Sequence, residues 1–285
     1  MSYNSTEIIN KVKETLITAG STFSDDKKEV YRQAIEKESQ PQAKWVLENT
    51  LKNALAAEKK RSPLCDDSGI PHLFLEVGPN QKVSGQLIAD IHKGIYEGLN
   101  ALPGRPMAIM GNDFERIDQS GGLNVDPGAM LPAPLIIKPT NEDVLRLHVL
   151  MHGGGPEIRG KTFRVFHKHS VSVVTDEIIE WTVEAASKLG CSPITLAVGI
   201  GRSHFEATSL MMEAMVFGNH LVQSDMEQEI TTRLNKTNIG PLGLGGDTTA
   251  LSTFLRVGPQ RASGIRVVSM RPCCSIEPRK ASVLL

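Results

Sequence analysis

The chain is organised around one short stretch, Ser62-Pro63-Leu64-Cys65-Asp66-Asp67-Ser68-Gly69. This stretch follows a helical pattern with a basic end and precedes the apolar run Leu73-Phe74-Leu75. A segment that opens near proline, closes on glycine and lies between a helix and a strand is predicted to be a loop, and such loops often carry chemistry. The loop combines one thiol with two adjacent carboxylates. Cys65 is therefore either a functional group or a small buried residue beside two solvated acids.

Composition and charge restrict the classes of function. The chain has 285 residues and a net charge of -1, so it has no overall field that would hold nucleic acid or an anionic membrane. No apolar run approaches the roughly 20 residues that span a bilayer, and the first seven residues lack the pattern of a secretory leader. We expect a cytoplasmic protein with a small-molecule partner, no nucleic-acid partner and no membrane contact.

Apolar periodicity predicts an α+β fold, in which an N-terminal helical segment is followed by a mixed sheet and helices. We expect the helical segment, 1–60, to form one cooperative unit with a domain over 61–285. Helices are predicted at 8–17, 24–34, 41–61, 84–102, 175–189, 203–215 and 225–234. The residues predicted to cap helix N-termini are Ser24, Thr175, Ser203 and Asp225. Strands are predicted at 72–77, 135–137, 145–151, 195–200, 250–257 and 264–270.

Three glycine-rich segments are candidate functional loops. Residues 104–134 are predicted to form a long irregular segment. Ordering such a segment costs conformational entropy that core packing does not obviously offset, and loops of this length are commonly functional. The triple glycine 153–155 follows a strand and would allow positive φ and a close approach of the backbone to a ligand. Residues 238–249 contain no phosphate-binding pattern and lack a βαβ setting, so a nucleotide site is disfavoured there.

The four cysteines share one local pattern. Cys65, Cys191 and the adjacent pair Cys273-Cys274 each lie in a proline-marked turn beside a regular element. Adjacent cysteines pair poorly, and the C-x-x-C repeats of zinc ribbons and ferredoxins are missing from the sequence. We expect reduced thiols that act as ligands or are simply buried. If three of them bind an iron–sulfur cubane, one iron keeps an open position and can act as a Lewis acid.

Five motifs in the right order carry a resemblance to a known family. The matching segments are 63–69 (family pattern close to PLCQDTG), 153–155 (a triple glycine), 191–193 (family CPP), 239–246 (a glycine-rich loop) and 272–274 (family PNC). Over roughly residues 43–274, the chain resembles the α subunit, or N-terminal domain, of class I fumarases and L-tartrate dehydratases. These are iron–sulfur hydro-lyases of 2-hydroxy dicarboxylic acids.

The resemblance implies a cluster site. Cys65, Cys191 and Cys274 would bind a 4Fe-4S cluster in which one iron has no cysteine ligand. Cys274 is preferred to Cys273 as the third ligand because it keeps the Pro-x-Cys spacing. The alternative, from another class, is a non-catalytic or regulatory protein on the same scaffold that binds zinc or no metal.

The resemblance also implies a substrate site for a small dicarboxylic acid. Asp67 would be the catalytic residue, positioning the substrate or shuttling a proton, and Arg105 would bind a substrate carboxylate. Gly154 and Gly155 would line the same site. Asp66 would also bind substrate, but it stands where the family usually has glutamine, which exchanges a donor amide for an acceptor. This difference argues against plain fumarate being handled in the usual way.

Two further departures from the family bear on function. The family has a histidine shortly before its last cysteine, where this chain has Gln260 and Arg261. Single-chain members continue into a following domain, whereas this chain ends at Leu285. The resemblance therefore implies a separate β subunit of about 200 residues, a typical domain size, in an α dimer or an α2β2 assembly. Without that subunit, we expect the chain to turn over little substrate. The resemblance leaves open which diacid is the substrate.

Overall fold

The computed structural model describes residues 4–102 and 104–285, so the first three residues of the predicted segment 1–60 lie outside the described residues. The helices are α1 (Ser5–Ser21), α2 (Asp25–Lys37), α3 (Pro41–Lys60), α4 (Gly85–Ala101), α5 (Asp113–Asp118), α6 (Gly154–Glu157), α7 (Val171–Leu189), α8 (His204–Phe217) and α9 (Asp225–Asn235). The strands are β1 (Ile70–Val77), β2 (Ile136–Pro139), β3 (Leu145–His152), β4 (Lys161–Phe166), β5 (Ile194–Gly201), β6 (Ala250–Val257), β7 (Ile265–Cys273) and β8 (Arg279–Leu284). This mixture confirms the predicted α+β fold class.

The chain divides into two compact units, each assembled from segments that are distant in sequence. The first unit contains residues 1–23, 54–153 and 279–285, and the second contains residues 24–53 and 154–278. Neither unit begins or ends at residue 60. A division into compact units does not show whether segments 1–60 and 61–285 fold cooperatively. That cooperativity therefore stays a prediction.

The first unit is a four-stranded sheet covered by two helices. The strand order is β2-β1-β3-β8, with β1 parallel to β2 and the other pairs antiparallel. α1 and α4 each present an apolar stripe at helical spacing, and these stripes join the buried side chains of β1 and β3 in one core. Burial of each large apolar side chain contributes about 1.5–3 kcal/mol, so this core fixes the sheet that carries the candidate loop.

The second unit has its own four-stranded sheet, in the order β4-β7-β5-β6. Only the β5–β6 pair is parallel. β5 is buried along its whole length, which agrees with its continuous apolar sequence. At Gly199 an added Cβ would collide with the backbone of α8 at Ala207 and Met211. Glycine is therefore required there so that the helix can pack directly on the strand.

The structure corrects four local predictions. The triple glycine does not form a positive-φ turn, because its last two residues begin the short helix α6. Thr175 does not cap α7: it lies inside that helix, where its hydroxyl donates to the Val171 carbonyl oxygen. Ser224, rather than Asp225, is the N-cap of α9. The segment 104–134 is partly regular, since it contains α5 and a short 3-10 turn.

Every helix within residues 4–102 and 104–285 is too short or too polar to cross a lipid bilayer.

Candidate functional site

The predicted loop around Cys65 is a loop in the first unit and is here called the Cys65 loop (residues 62–69). Other segments hold its peptide groups at more than one point. The Arg105 amide donates to the Asp66 carbonyl oxygen at 3.0 Å, and Nη1 of Arg279 donates to the Asp67 carbonyl oxygen at 2.8 Å. The loop closes at Gly69 with a φ of 85°, a conformation that favours glycine. The backbone is thus fixed while its acidic side chains point elsewhere.

Hydrogen bonds connect the Cys65 thiol and the Asp67 amide to the Asp66 carboxylate. Oδ1 of Asp66 accepts from the Cys65 thiol at 3.5 Å and from the Asp67 amide at 3.0 Å. Burial raises the pKa of the Cys65 thiol, and a hydrogen bond from the backbone of Asp67 opposes that change. The thiol contact, followed by the Asp67 amide, lowers the pKa of Asp66. The loop therefore holds a protonated thiol beside an ionised carboxylate.

Arg105 lies between the two carboxylates at ion-pair distances that are long. Its Nε is 3.8 Å from Oδ2 of Asp66, and its Nη2 is 3.9 Å from Oδ2 of Asp67. The side chains of Arg105 and Asp66 are 57% and 78% exposed, whereas that of Asp67 is 18% exposed. Exposed pairs of this kind contribute little to stability, so the guanidinium can turn to a carboxylate ligand at small cost.

The second unit brings two other predicted ligand cysteines onto neighbouring turns. The Ser275 amide, next to Cys274, donates to the Cys191 carbonyl oxygen at 2.8 Å. On the other side of the Cys191 turn, the Ser192 hydroxyl donates to the Gly240 carbonyl oxygen at 2.6 Å. Three of the sequence motifs are therefore hydrogen-bonded to one another in this unit.

The segment 273–277, here called the Cys274 turn, is enclosed by buried charged and polar side chains. Arg271 and Glu277 are each 1% exposed and form an ion pair, and Nε of Arg271 also contacts Glu157 at 3.1 Å. From α2, Lys27 donates to the Glu277 carbonyl oxygen at 2.6 Å and Tyr31 donates to the Ser275 carbonyl oxygen at 2.7 Å. Such a satisfied polar network fixes one conformation of the turn.

The two adjacent cysteines differ in their surroundings. Cys273 is fully buried, with its sulfur 3.5 Å from Sδ of Met215 and 3.4 Å from Nη1 of Arg271. Burial raises the pKa of Cys273 to about 11, so this thiol stays protonated at neutral pH. Cys274 is 8% exposed and follows the end of β7. These surroundings favour Cys274 over Cys273 as a ligand.

The predicted site residues are thus gathered in two places. Cys65, Asp66, Asp67 and Arg105 lie together in the first unit, while Cys191 and Cys274, with Gly154 and Gly155, belong to the second unit. No cysteine forms a disulfide in the part of the chain that the structure describes. No group of three or more His, Cys, Asp or Glu side chains among those residues is arranged to hold a metal ion. The donor set of reduced thiols nevertheless fits an iron–sulfur cluster or zinc.

The position of the missing family histidine is also visible. Nε2 of Gln260 donates to the Ile200 and Gly258 carbonyl oxygens, at 3.2 and 2.9 Å. Gln260 therefore braces a turn of the second unit, and Arg261 is exposed beside it.

Comparison with known proteins agrees with this arrangement. A family model described as fumarate hydratase (Fumerase) matches residues 9–283. The chain belongs to this family. It is 26% identical over 261 residues to the putative L(+)-tartrate dehydratase subunit alpha of Methanocaldococcus jannaschii, with 88% of each chain covered. It is 23% identical over 279 residues to the L(+)-tartrate dehydratase subunit alpha of Escherichia coli K12, covering 95% of this chain and 90% of that relative.

These findings confirm the resemblance to class I fumarases and tartrate dehydratases. A hydratase and a dehydratase catalyse opposite directions of one reaction type, so the family and the named relatives support a hydro-lyase.

Sequence reasoning missed several residues around the motifs of this fumarate hydratase family member. They are the buried polar residues Lys27, Tyr31, Arg271, Glu277 and Arg279. For Arg279 a signal existed, because Ala281 and Val283 alternate with the polar residues Lys280 and Ser282 as in a half-buried strand. Lys27 and Tyr31 share one face of a helix that otherwise reads as polar, and nothing local marks their contacts.

Proposed function

We propose that this chain is the α subunit of an iron–sulfur-dependent hydro-lyase that acts on a 2-hydroxy dicarboxylic acid such as tartrate or malate/fumarate. The observation that carries the proposal is the approach of Arg105 to Asp66 and Asp67 beside the Cys65 thiol, in a member of the fumarate hydratase family. A cationic group, two carboxylates and a thiol in one exposed loop site suit a small anionic substrate and a metal centre.

We propose Cys65, Cys191 and Cys274 as the ligands of a 4Fe-4S cluster in which one iron has no cysteine ligand. Reduced thiols, the hydrogen-bonded turns of Cys191 and Cys274, and the apolar and cationic surroundings of Cys273 support this choice. When bound, such a cluster supplies a Lewis acid for a substrate hydroxyl.

The remaining chemistry is assigned to this chain's own side chains. Arg105 binds a substrate carboxylate in exchange for its long contacts with the two aspartates. Asp67 positions the substrate or carries a proton at its carboxylate. Asp66 accepts a hydrogen bond where glutamine would donate one, which favours a diacid with an additional hydroxyl group. An added Cβ at Gly155 would meet no atom within 4 Å, so space beside the Gly155 backbone is open to a ligand.

A separate β subunit completes the site in this proposal. The relatives are named as alpha subunits, which implies a partner subunit, and we propose a β chain of about 200 residues in an α dimer or α2β2 assembly. The high exposure of Arg105 and Asp66 is consistent with a site that another chain covers. We infer a cytoplasmic location because the proposed ligands must stay reduced.

The test is anaerobic production of the chain with a β-type partner subunit, followed by measurement of visible absorption, bound iron and water loss from tartrate and malate. We expect a brown protein with about four irons per chain and activity only with the partner. Cys65→Ser should be colourless, and Cys273→Ser, the matched control, should keep its colour. A colourless anaerobic protein with about one zinc per chain would overturn the proposal in favour of a non-catalytic zinc protein.

A further inference from the structure

Arg279 is a charged residue buried almost completely in the first unit. It is 2% exposed and begins β8, where it pairs with Met151 near the end of β3. Arginine is rarely buried unless its guanidinium has specific partners. Burying a charge is costly unless it has partners, so the groups that contact the Arg279 guanidinium indicate its role.

The guanidinium of Arg279 is packed against the backbone of the Cys65 loop. Nη1 donates to the Asp67 carbonyl oxygen at 2.8 Å. An added Cβ at Gly69 would lie 2.6 Å from Nη2 of Arg279 and 2.6 Å from the His152 carbonyl oxygen. The glycine that ends the loop therefore leaves the space that the guanidinium fills. A side chain at that position would push the arginine away from the loop.

Backbone amides also hold this loop. The Leu64 amide donates to the Gly20 carbonyl oxygen at 2.9 Å, and the Arg105 amide donates to the Asp66 carbonyl oxygen at 3.0 Å. At Asp67, the hydrogen bond comes from the Arg279 side chain. It differs from Arg105, which is largely exposed and approaches the carboxylates rather than the peptide groups. Arg279 thus contacts the backbone of the loop, and Arg105 approaches its carboxylate side chains.

We propose that Arg279 is a positioning residue that fixes the peptide at Asp67 and so holds the Cys65 thiol and the Asp67 carboxylate in one arrangement. A planar guanidinium can reach the Asp67 carbonyl oxygen with one nitrogen while another lies against Gly69, and a lysine ammonium can supply only the first of these contacts. The consequence for water addition or removal rests on the proposed function, whereas the effect on the loop does not.

The experiment is amide hydrogen exchange on the metal-free full chain, read at Leu64 and Arg105. Both amides are hydrogen-bonded at the edges of the loop and neither belongs to Arg279. In Arg279→Met we expect the Arg105 amide to exchange about tenfold faster, as for the loss of one hydrogen bond to a charged group. Arg279→Lys should restore part of the protection. Amides of α4 in the first unit and of β5 in the second unit report whether each variant remains folded.

The matched control is Arg146→Met, which removes another arginine from the same sheet. Arg146 is on β3 and contacts Glu76 and Glu142 rather than the Cys65 loop. The same exchange rate at Arg105 in wild type and Arg279→Met, or equal increases in Arg279→Met and Arg146→Met, would overturn the inference. If Arg279→Met does not fold, Arg279→Lys decides, because it should still exchange faster than wild type at Arg105 and not at β5.

Alkylation of the metal-free chain provides a second measurement. The rate at Cys65, relative to the exposed Cys191, should increase in Arg279→Lys and stay constant in Arg146→Met. Neither measurement uses a cluster, a substrate or a partner chain. A wild-type chain that binds no iron would therefore contradict the proposed function and leave this inference standing. Unchanged exchange and alkylation rates in the Arg279 variants would contradict this inference and leave the proposed function standing.

Discussion

The Cys65 loop and the Cys274 turn hold their cysteines in opposite ways. In the loop, Arg105 and Asp66 are exposed, and the backbone at Asp67 is anchored by Arg279. In the turn, the charged side chains of Arg271 and Glu277 are buried in an ion pair that encloses the cysteines. The comparison separates two uses of charge in one chain. Charges in the loop are available to a ligand, and charges in the turn maintain the shape of the protein.

The largest expected effect would test the structural role of the turn. Arg271→Met leaves the Glu277 carboxylate buried without its cation, and breaking a buried pair costs about 3–5 kcal/mol. We expect urea unfolding to show a loss of that size. The control is Arg202→Met, which removes the exposed Arg202–Glu206 pair of the same unit and should cost about 0–1 kcal/mol. Equal losses in the two variants would mean that burial does not distinguish these pairs.

The converse change tests the loop. Asp67→Asn removes a carboxylate that we assign to positioning or proton transfer, and activity with the partner subunit should fall about 10²- to 10⁴-fold. The free energy of unfolding should stay within about 1 kcal/mol of wild type, because the ion pair between the Asp67 carboxylate and Arg105 is long and its arginine is exposed. Kinetics and urea unfolding of the same preparation measure both quantities. A variant that loses stability but keeps its activity would assign Asp67 to the scaffold.

A third prediction concerns the pH dependence of stability in the metal-free chain. Burial raises the pKa of Cys273 from its ordinary value of 9.0 to about 11. The folded state therefore keeps a proton that the unfolded state releases, so this contribution is complete below pH 9 and is lost as pH rises to 11. Burial lowers the pKa of Lys27 to about 8, which acts in the opposite direction between pH 8 and 10.5.

The measurement that isolates the thiol is the difference between wild type and Cys273→Ser across pH 9–11. We expect urea midpoints of wild type to fall more steeply than those of the variant, by an amount equivalent to a few kcal/mol. Cys65→Ser should follow the wild-type curve more closely, because Cys65 is only partly buried. Parallel curves for wild type and Cys273→Ser would contradict the burial argument.

The smallest expected effect distinguishes the two carboxylates of the loop. Asp66→Gln restores the residue type usual in the family and replaces an acceptor by a group that also donates. We expect a few-fold change in the ratio of activities on malate and tartrate, about 1 kcal/mol or less in relative barrier height. Unchanged relative activities would show that Asp66 does not select the diacid.

Local patterns predicted much of the fold. The apolar stripe of α4 and the alternation in β3 gave elements within a few residues of their observed bounds, because their side chains pack on one face. The Cys65 loop was found for the same reason, since proline and glycine limit the backbone locally. The short helix α6 was not predicted, because a triple glycine permits many backbone conformations and does not specify one of them.

Contacts between distant residues explain what could not be predicted. Arg279 and Asp67 are 212 positions apart, and Lys27 and Glu277 are 250 positions apart. The sequence around each residue gives no sign of burial, because lysine and arginine are usually exposed. Only the assembled sheet and helices show that these cations are enclosed and which carbonyl oxygens they contact.

The segmented first unit has a consequence for biosynthesis. A ribosome makes residues 1–23 and 54–153 first, then residues 154–278 of the other unit, and only afterwards the strand that carries Arg279. Until that strand is added, the Cys65 loop of a nascent chain lacks the guanidinium that holds it at Asp67. The loop is therefore completed only after residues 154–278 have been synthesised, however early its own residues emerge from the exit tunnel.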